Sequence, residues 1–299
     1  MNTPAIASSS EARRYPTKPA AVYLFATCLV DQFTPAAGMD TIKLLEREGI
    51  RVEFPLDQTC CGQPAYSSGY PEQARVVARR QLELFPEDWP IVVPSGSCAG
   101  MMRHHYPKLF AEEPVLLAKA KALAERIFEF SEFLVHVLGF NRPDLGAPCT
   151  VAVHTSCAAR REMNTHITGR ALVTQLAKVK LTQHDHESEC CGFGGTFSLR
   201  HPEISAAMVA DKVASIKASG AQAVVSADCG CMLNILSHAA HAQADHAALP
   251  GEHLASFLWK RTNQSDEPGA HPLPSPPLPQ ERGDSTVACR DLPTNKEQA

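Results

Sequence analysis

The residues of this chain best placed to do chemistry are its cysteines. The tripeptide Cys-Cys-Gly occurs twice, at Cys60-Cys61-Gly62 and at Cys190-Cys191-Gly192. Each copy has one cysteine upstream and one downstream: Cys28 and Cys98 around the first, Cys157 and Cys231 around the second. Equivalent cysteines stand 129 (28 to 157), 130 (60 to 190) and 133 (98 to 231) residues apart. A near-constant offset at three separate anchors marks an internal repeat. Four thiolates per repeat suit either tetrahedral zinc or an iron–sulfur cluster. Zinc sites are commonly built from short C-x₂₋₄-C knuckles. Here the sulfurs come as one, an adjacent pair, and one, with more than thirty residues between them. Adjacent side chains on an extended chain point apart, so a Cys-Cys pair reaches a bulky cluster more easily than a single small ion. The pattern favours iron–sulfur chemistry and keeps zinc as the alternative. Cys229, beside Cys231, offers the second set a fifth sulfur that the first set lacks. Disulfides fit less well, because the eleven cysteines are odd in number and vicinal cysteines are strained when bridged.

These cysteines need a frame that brings them together, and the chain supplies it twice. Val22-Tyr23-Leu24-Phe25-Ala26 reads as a buried strand, followed at once by Cys28. A helix is expected from about Phe33 to Glu48, a short strand at Arg51–Phe54, and then the Cys60-Cys61-Gly62 loop. Pro71 opens a helix to about Phe85, since proline suits a first helical turn. Ile91–Val93 is a strand, Cys98 lies in the turn after it, and 114–139 reads as two helical stretches. The second half repeats the order. Thr150–Val153 is a strand before Cys157, a helix spans about Gly169–Ala177, and Val179–Thr182 is a strand before the Cys190-Cys191-Gly192 loop. A helix from Pro202 to about Ser219, a strand at Ala223–Ser226 and a helix after Cys229-Gly230-Cys231 follow. The reading is an α/β fold: two tandem repeats of a small parallel-sheet unit. The expected boundaries are a disordered tail at 1–20, a first repeat at 21–141, a linker at 142–149, a second repeat at 150–262 and a Pro-rich disordered tail at 263–299. In open parallel sheets ligands gather at the carboxyl ends of strands, where every repeat cysteine falls.

Composition narrows the function. The net charge of −4 offers no basic surface and argues against nucleic acid. The apolar stretch Ala20–Val30 is bounded by Pro19 and Asp31 and contains Cys28, which argues against an export signal. No run reaches about 18 apolar residues, so no transmembrane segment is expected. A reducing cytoplasm would keep the thiols free and leaves metal binding as their leading use.

The arrangement Cys28-x31-Cys60-Cys61-Gly62-x35-Cys98 and Cys157-x32-Cys190-Cys191-Gly192-x38-Cys231 resembles the duplicated cysteine-rich CCG domain. That domain occurs in the cysteine-rich subunit of heterodisulfide reductase, in the iron–sulfur subunits of glycolate oxidase and anaerobic glycerol-3-phosphate dehydrogenase, and in lactate utilization protein A. The last is most similar, being a short chain of the two repeats. The resemblance covers about residues 21–260. It implies one iron–sulfur cluster per repeat, of 4Fe-4S type, held by the eight repeat cysteines. It further implies a cytoplasmic electron-transfer subunit of an L-lactate-oxidising complex, a redox subunit rather than a complete enzyme. The implied partners are a larger ferredoxin-like iron–sulfur protein and a third small protein. One departure stands out. The heterodisulfide reductase subunit ends its motif in C-x-x-C, whereas here Met101 and Asn234 occupy the last position. The thiol/disulfide catalysis of that relative is therefore kept as an alternative, with Cys229 as its only nearby extra sulfur.

Several other residues take structural readings. His154, three before Cys157, is read as a hydrogen-bonded structural histidine rather than a ligand. His104 and His105 are read as surface residues, and Met101, Met102 and Met232 as core. Gly192-Phe193-Gly194-Gly195 lacks the Lys-Ser/Thr of a phosphate loop. Asp185, Glu187 and Glu189 are read as a solvated loop face, Cys149 as a strand-edge residue, and Cys289 as outside any site.

Overall fold

The computed structural model describes residues 13–241 and 249–263. Residues 264–299, with Cys289 and most of the expected Pro-rich tail, lie outside the described residues, as do residues 1–12.

Each repeat builds a four-stranded parallel sheet. β1 (Ala21–Leu24), β2 (Arg51–Glu53), β3 (Ile91–Val93) and β4 (Ile127–Glu129) lie in the order β2-β1-β3-β4. β5 (Cys149–His154), β6 (Val179–Thr182), β7 (Ala223–Ser226) and β8 (Gly251–His253) lie in the order β6-β5-β7-β8. β1, β3 and β4 are buried along their whole length, as apolar strands covered on both faces must be. The registers repeat residue for residue. Ala21 pairs with Arg51 as Thr150 pairs with Lys180. Tyr23 pairs with Ile91 as Ala152 pairs with Val224, and Ile91 with Ile127 as Val224 with Gly251. The expected fold class, an α/β chain of two tandem repeats, is the observed one.

The helices of the first repeat are α1 (Cys28–Phe33), α2 (Pro35–Arg47), α3 (Gln63–Ser67), α4 (Pro71–Gln81), α5 (Gly96–Gly100), α6 (Tyr106–Leu109), α7 (Pro114–Arg126) and α8 (Phe130–His136). Those of the second are α9 (Thr165–Thr174), α10 (Phe197–Arg200), α11 (Pro202–Ala218), α12 (Cys229–His241) and α13 (Leu254–Thr262). Proline opens α2, α4, α7 and α11, where its missing N–H costs nothing. π-helical turns occupy Met101–His105 and Ala159–Met163.

Three local expectations are corrected. The helix expected from Phe33 begins earlier, at Cys28, and breaks at Thr34 before Pro35. The stretch 114–139 is not purely helical, because Ile127–Glu129 forms β4 between α7 and α8. Its counterpart β8 is likewise absent from the sequence reading. Each of these strands runs directly into a helix whose N-cap is its last residue. Glu129 caps α8 in a capping box with Glu132, and His253 Nδ1 accepts the Ala255 N–H at 3.1 Å. Within the expected N-terminal tail, residues 13–20 are described. Arg13 donates to the carbonyls of Glu125 and Ile127 at 2.9 Å, and Tyr15 stacks on His136.

The described residues form one compact unit in which the repeats pack reciprocally. α2 of the first repeat packs on α13 of the second, and α9, the counterpart of α2, packs on α8, the counterpart of α13. Such an exchange of equivalent partners is what a two-fold relation produces. The faces so joined share one core, with Val22, Leu44, Phe128 and Phe133 meeting Val151, Leu172, Val225 and Phe257. Burying each such side chain contributes roughly 1.5–3 kcal/mol. No helix among the described residues is long and apolar enough to cross a membrane.

Candidate metal centres

In each sheet the chain leaves the second strand in the order for one edge and returns on its other side. The gap beyond the carboxyl ends of β1 and β3, and of β5 and β7, is therefore a topological switch point. Cys28 opens α1 just after β1, and Cys98 lies in α5 just after β3. The loop after β2 brings in Cys60 and Cys61. Thr27 enters α1 at φ +69°, and its hydroxyl accepts the Val30 N–H at 3.4 Å. All ten cysteines among the described residues are free.

The structure brings each predicted quartet together. The Cys28 and Cys61 side chains neighbour Cys60, and Cys61 also neighbours Cys98. These thiols, with the Gly62 N–H donating to Cys60 Sγ at 3.4 Å, hold the Cys60 thiol down to about 3. The same contacts, with burial, push Cys28 and Cys61 well up. The second quartet copies the first. Cys157 and Cys191 hold Cys190 down to about 2, the Gly192 N–H again donates at 3.4 Å, and Cys191 reaches Cys231. Burial is matched too. Cys61 and Cys98 are buried while Cys28 and Cys60 are half-exposed, as Cys191 and Cys231 are buried while Cys157 and Cys190 are half-exposed.

Two residues with no functional reading in the sequence hold the Cys-Cys pairs in place. The Tyr106 hydroxyl donates to the Cys61 carbonyl at 2.9 Å, and the Asn234 amide donates to the equivalent Cys191 carbonyl at 2.8 Å. Asn234 stands where the heterodisulfide reductase subunit has its extra cysteine, so that position here braces the loop. Gly192 sits at φ +85°, and a Cβ there would meet the Ser205 carbonyl oxygen at 2.7 Å. Only glycine allows both the conformation and the close approach.

The two sites are also tied to one another. Asp228 Oδ1 accepts the Ser97 N–H at 2.9 Å and the Ser95 hydroxyl at 3.2 Å. His253 Nε2 donates to the Pro94 carbonyl at 3.0 Å. His105, expected at the surface, is partly buried between Tyr66 and Glu162, with Nε2 2.9 Å from Glu162 Oε1. Cys229 faces the first repeat: its sulfur lies 2.9 Å from Thr34 Oγ1, among Val30 and Ala37. Burial pushes that thiol up to about 12.

The sites differ in two neighbours. His154, at the end of β5, lies within 4.8 Å of the Cys191 and Cys231 sulfurs, whereas Phe25 occupies the equivalent place in the first repeat. The reading of His154 as a hydrogen-bonded structural residue is corrected, since neither ring nitrogen has a partner among the described residues. Ten residues after the opening proline, α4 carries buried Gln81 and α11 carries buried Lys212. Each donor set is chemically suited to a metal centre: four neighbouring free cysteines, two of them buried, with one thiol of each set, Cys60 or Cys190, pushed towards the thiolate by its neighbours. A cation there would take up the charge that the crowded thiols cannot carry alone.

The cysteine-rich domain CCG matches this chain twice, at residues 22–103 and 151–236. The chain is 44% identical over 216 residues to lactate utilization protein A of Shouchella clausii, covering 72% of this chain and 89% of that one. It is 43% identical to lactate utilization protein A of Bacillus subtilis, with 72% and 90% covered. A crystal structure of a hypothetical protein from Helicobacter pylori shares the fold at TM-score 0.58 and 13% identity, covering 85% of this chain. The match takes in 52% of that structure, so the chain spans about half its length. With both matches falling on the two cysteine quartets, the chain belongs to the cysteine-rich CCG domain family and carries two copies of the domain.

Proposed function

We propose that this chain is an iron–sulfur electron-transfer protein of L-lactate utilization. The observation that carries the reading is the convergence of four free sulfurs on a switch point in each repeat. Cys28, Cys60, Cys61 and Cys98 would hold one cluster of 4Fe-4S type, and Cys157, Cys190, Cys191 and Cys231 the other. Such a cluster, when bound, takes up and gives back single electrons. The protein's own residues do the rest. The half-exposed sulfurs of each quartet, Cys28 with Cys60 and Cys157 with Cys190, leave one side open to a redox partner. The buried pairs shield the other side from water. Asp228, bonded to Ser97, fixes the spacing of the two sites. Cys229, turned towards Thr34, stays outside both quartets.

Lactate as the substrate of the wider system rests on the relatives named lactate utilization protein A. The partners would be a larger ferredoxin-like iron–sulfur protein and a third small protein, with this chain as a redox subunit. Free thiols of this number suit the cytoplasm. The assignment is tested with Cys60→Ser and Cys190→Ser in protein purified without oxygen. Each should remove about half of the iron and one of two reducible EPR signals. Full iron and sulfide in both variants would show that these cysteines are not the ligands.

A further inference from the structure

His154 is fully enclosed at the end of β5, with 1% of its surface exposed. Neither of its ring nitrogens meets a hydrogen-bond partner among the described residues. A buried polar group is not left unpaired without cost, so the ring is placed for a partner of another kind. One ring nitrogen and the sulfurs of Cys191 and Cys231 all lie within 4.8 Å of one another. Three donors so close, on β5, the Cys190-Cys191-Gly192 loop and α12, are arranged as ligands of a common ion are. The first repeat has no counterpart, because Phe25 fills the same place.

We propose that His154 supplies a ring nitrogen to the metal centre of the second quartet, giving that centre mixed nitrogen and sulfur donors while the first is held by sulfur alone. This rests on the reading that the quartets hold metal. A histidine nitrogen that takes the place of a thiolate on iron raises the reduction potential of an iron–sulfur centre, and His154, lying against Cys191 and Cys231, is placed to displace one of those two thiolates in the second quartet. The second centre is therefore reduced before the first. In that step one electron enters from dithionite in the test below, and no bond is made or broken.

The test is pulsed EPR on the full chain, purified without oxygen, with and without ¹⁵N-labelled histidine, during a redox titration. The expected result is a nitrogen coupling in the signal that is reduced first, converted to the ¹⁵N pattern by labelled histidine. His154→Phe, which copies the first repeat, should abolish that coupling and shift the higher midpoint towards the lower one. If this variant fails to fold, the labelled parent protein still decides. A reducible iron signal without histidine nitrogen coupling, or a coupling that survives in His154→Phe, overturns the role given to His154 and leaves the electron-transfer reading intact. The absence of any iron signal overturns the underlying reading instead.

Discussion

Asp228 Oδ1 accepts the backbone N–H of Ser97 at 2.9 Å, tying the residue before Cys229 in the second repeat to the residue before Cys98 in the first. The same oxygen takes the Ser95 hydroxyl. Asp228 is buried, so removing it would leave the Ser97 N–H unpaired and the Ser95 hydroxyl with only the Ser97 hydroxyl, 3.3 Å away. Asp228→Ala is expected to cost about 2–3 kcal/mol in urea unfolding. It should also loosen the Cys98 turn and lower the metal content of the first site, although the substitution lies in the second repeat. Asp228→Asn, which keeps an acceptor oxygen, should lose less on both counts.

The cysteine set and the repeat were legible because they are written in spacing, and the central strands because buried parallel strands are unbroken apolar runs. β4 and β8 were not legible for a local reason. Ile127–Glu129 and Gly251–His253 are three residues long and pass directly into helices, so no turn residue separates strand from helix. Their closing residues, Glu129 and His253, act as N-caps in place of the usual Ser, Thr, Asp or Asn. The solitude of His154 and the turn of Cys229 towards Thr34 depend on which elements meet in the folded chain, within a repeat for the first and across the repeats for the second, which local sequence does not encode. The bracing of the Cys-Cys carbonyls by Tyr106 and Asn234 was hidden for the same reason. The resemblance to the heterodisulfide reductase subunit already singled out Asn234 as standing where that subunit has an extra cysteine, but not its bond to the Cys191 carbonyl.

Glu129 makes stability depend on pH in a definite direction. It is fully buried, and burial first, with the charges of Glu132 and Asp228, pushes its carboxyl up to about 8. In the unfolded chain it titrates near 4.5. Between these values the folded state holds a proton that the unfolded state has lost, so this contribution falls as pH rises from 4.5 to about 8 and then levels off. Glu129→Gln keeps an oxygen for the Ser131 and Glu132 N–H groups. Relative to the parent, it should gain on the order of a few kcal/mol as pH rises through that window. Urea midpoints of parent and variant across the window check this, and a pH-independent difference would contradict it.

Gly192→Ala should disable the second site alone. The new Cβ would sit 2.7 Å from the Ser205 carbonyl oxygen, at a φ of +85°. A cost of about 1–3 kcal/mol is expected, with loss of metal from Cys157, Cys190, Cys191 and Cys231 and retention by the first quartet. Gly220→Ala is the control. Its φ is +75°, but nothing lies within 4 Å of the added atom, so metal content should not change.

Metal uptake should release protons. In each metal-free quartet one thiol is held low, Cys60 or Cys190, while two are pushed up, Cys28 with Cys61 or Cys157 with Cys191. Adding zinc as a probe to the metal-free protein near neutral pH should release roughly two or more protons per filled quartet. Release of less than about one would show that the crowded thiols are not the groups that bind.

The most direct test of the central claim is iron and acid-labile sulfide per chain in protein purified without oxygen, with EPR spectra before and after dithionite. Two clusters of 4Fe-4S type predict about eight iron and eight sulfide per chain and a signal that appears on reduction. Zinc without sulfide, and no reducible signal, would contradict the electron-transfer account and identify the two quartets as structural metal sites.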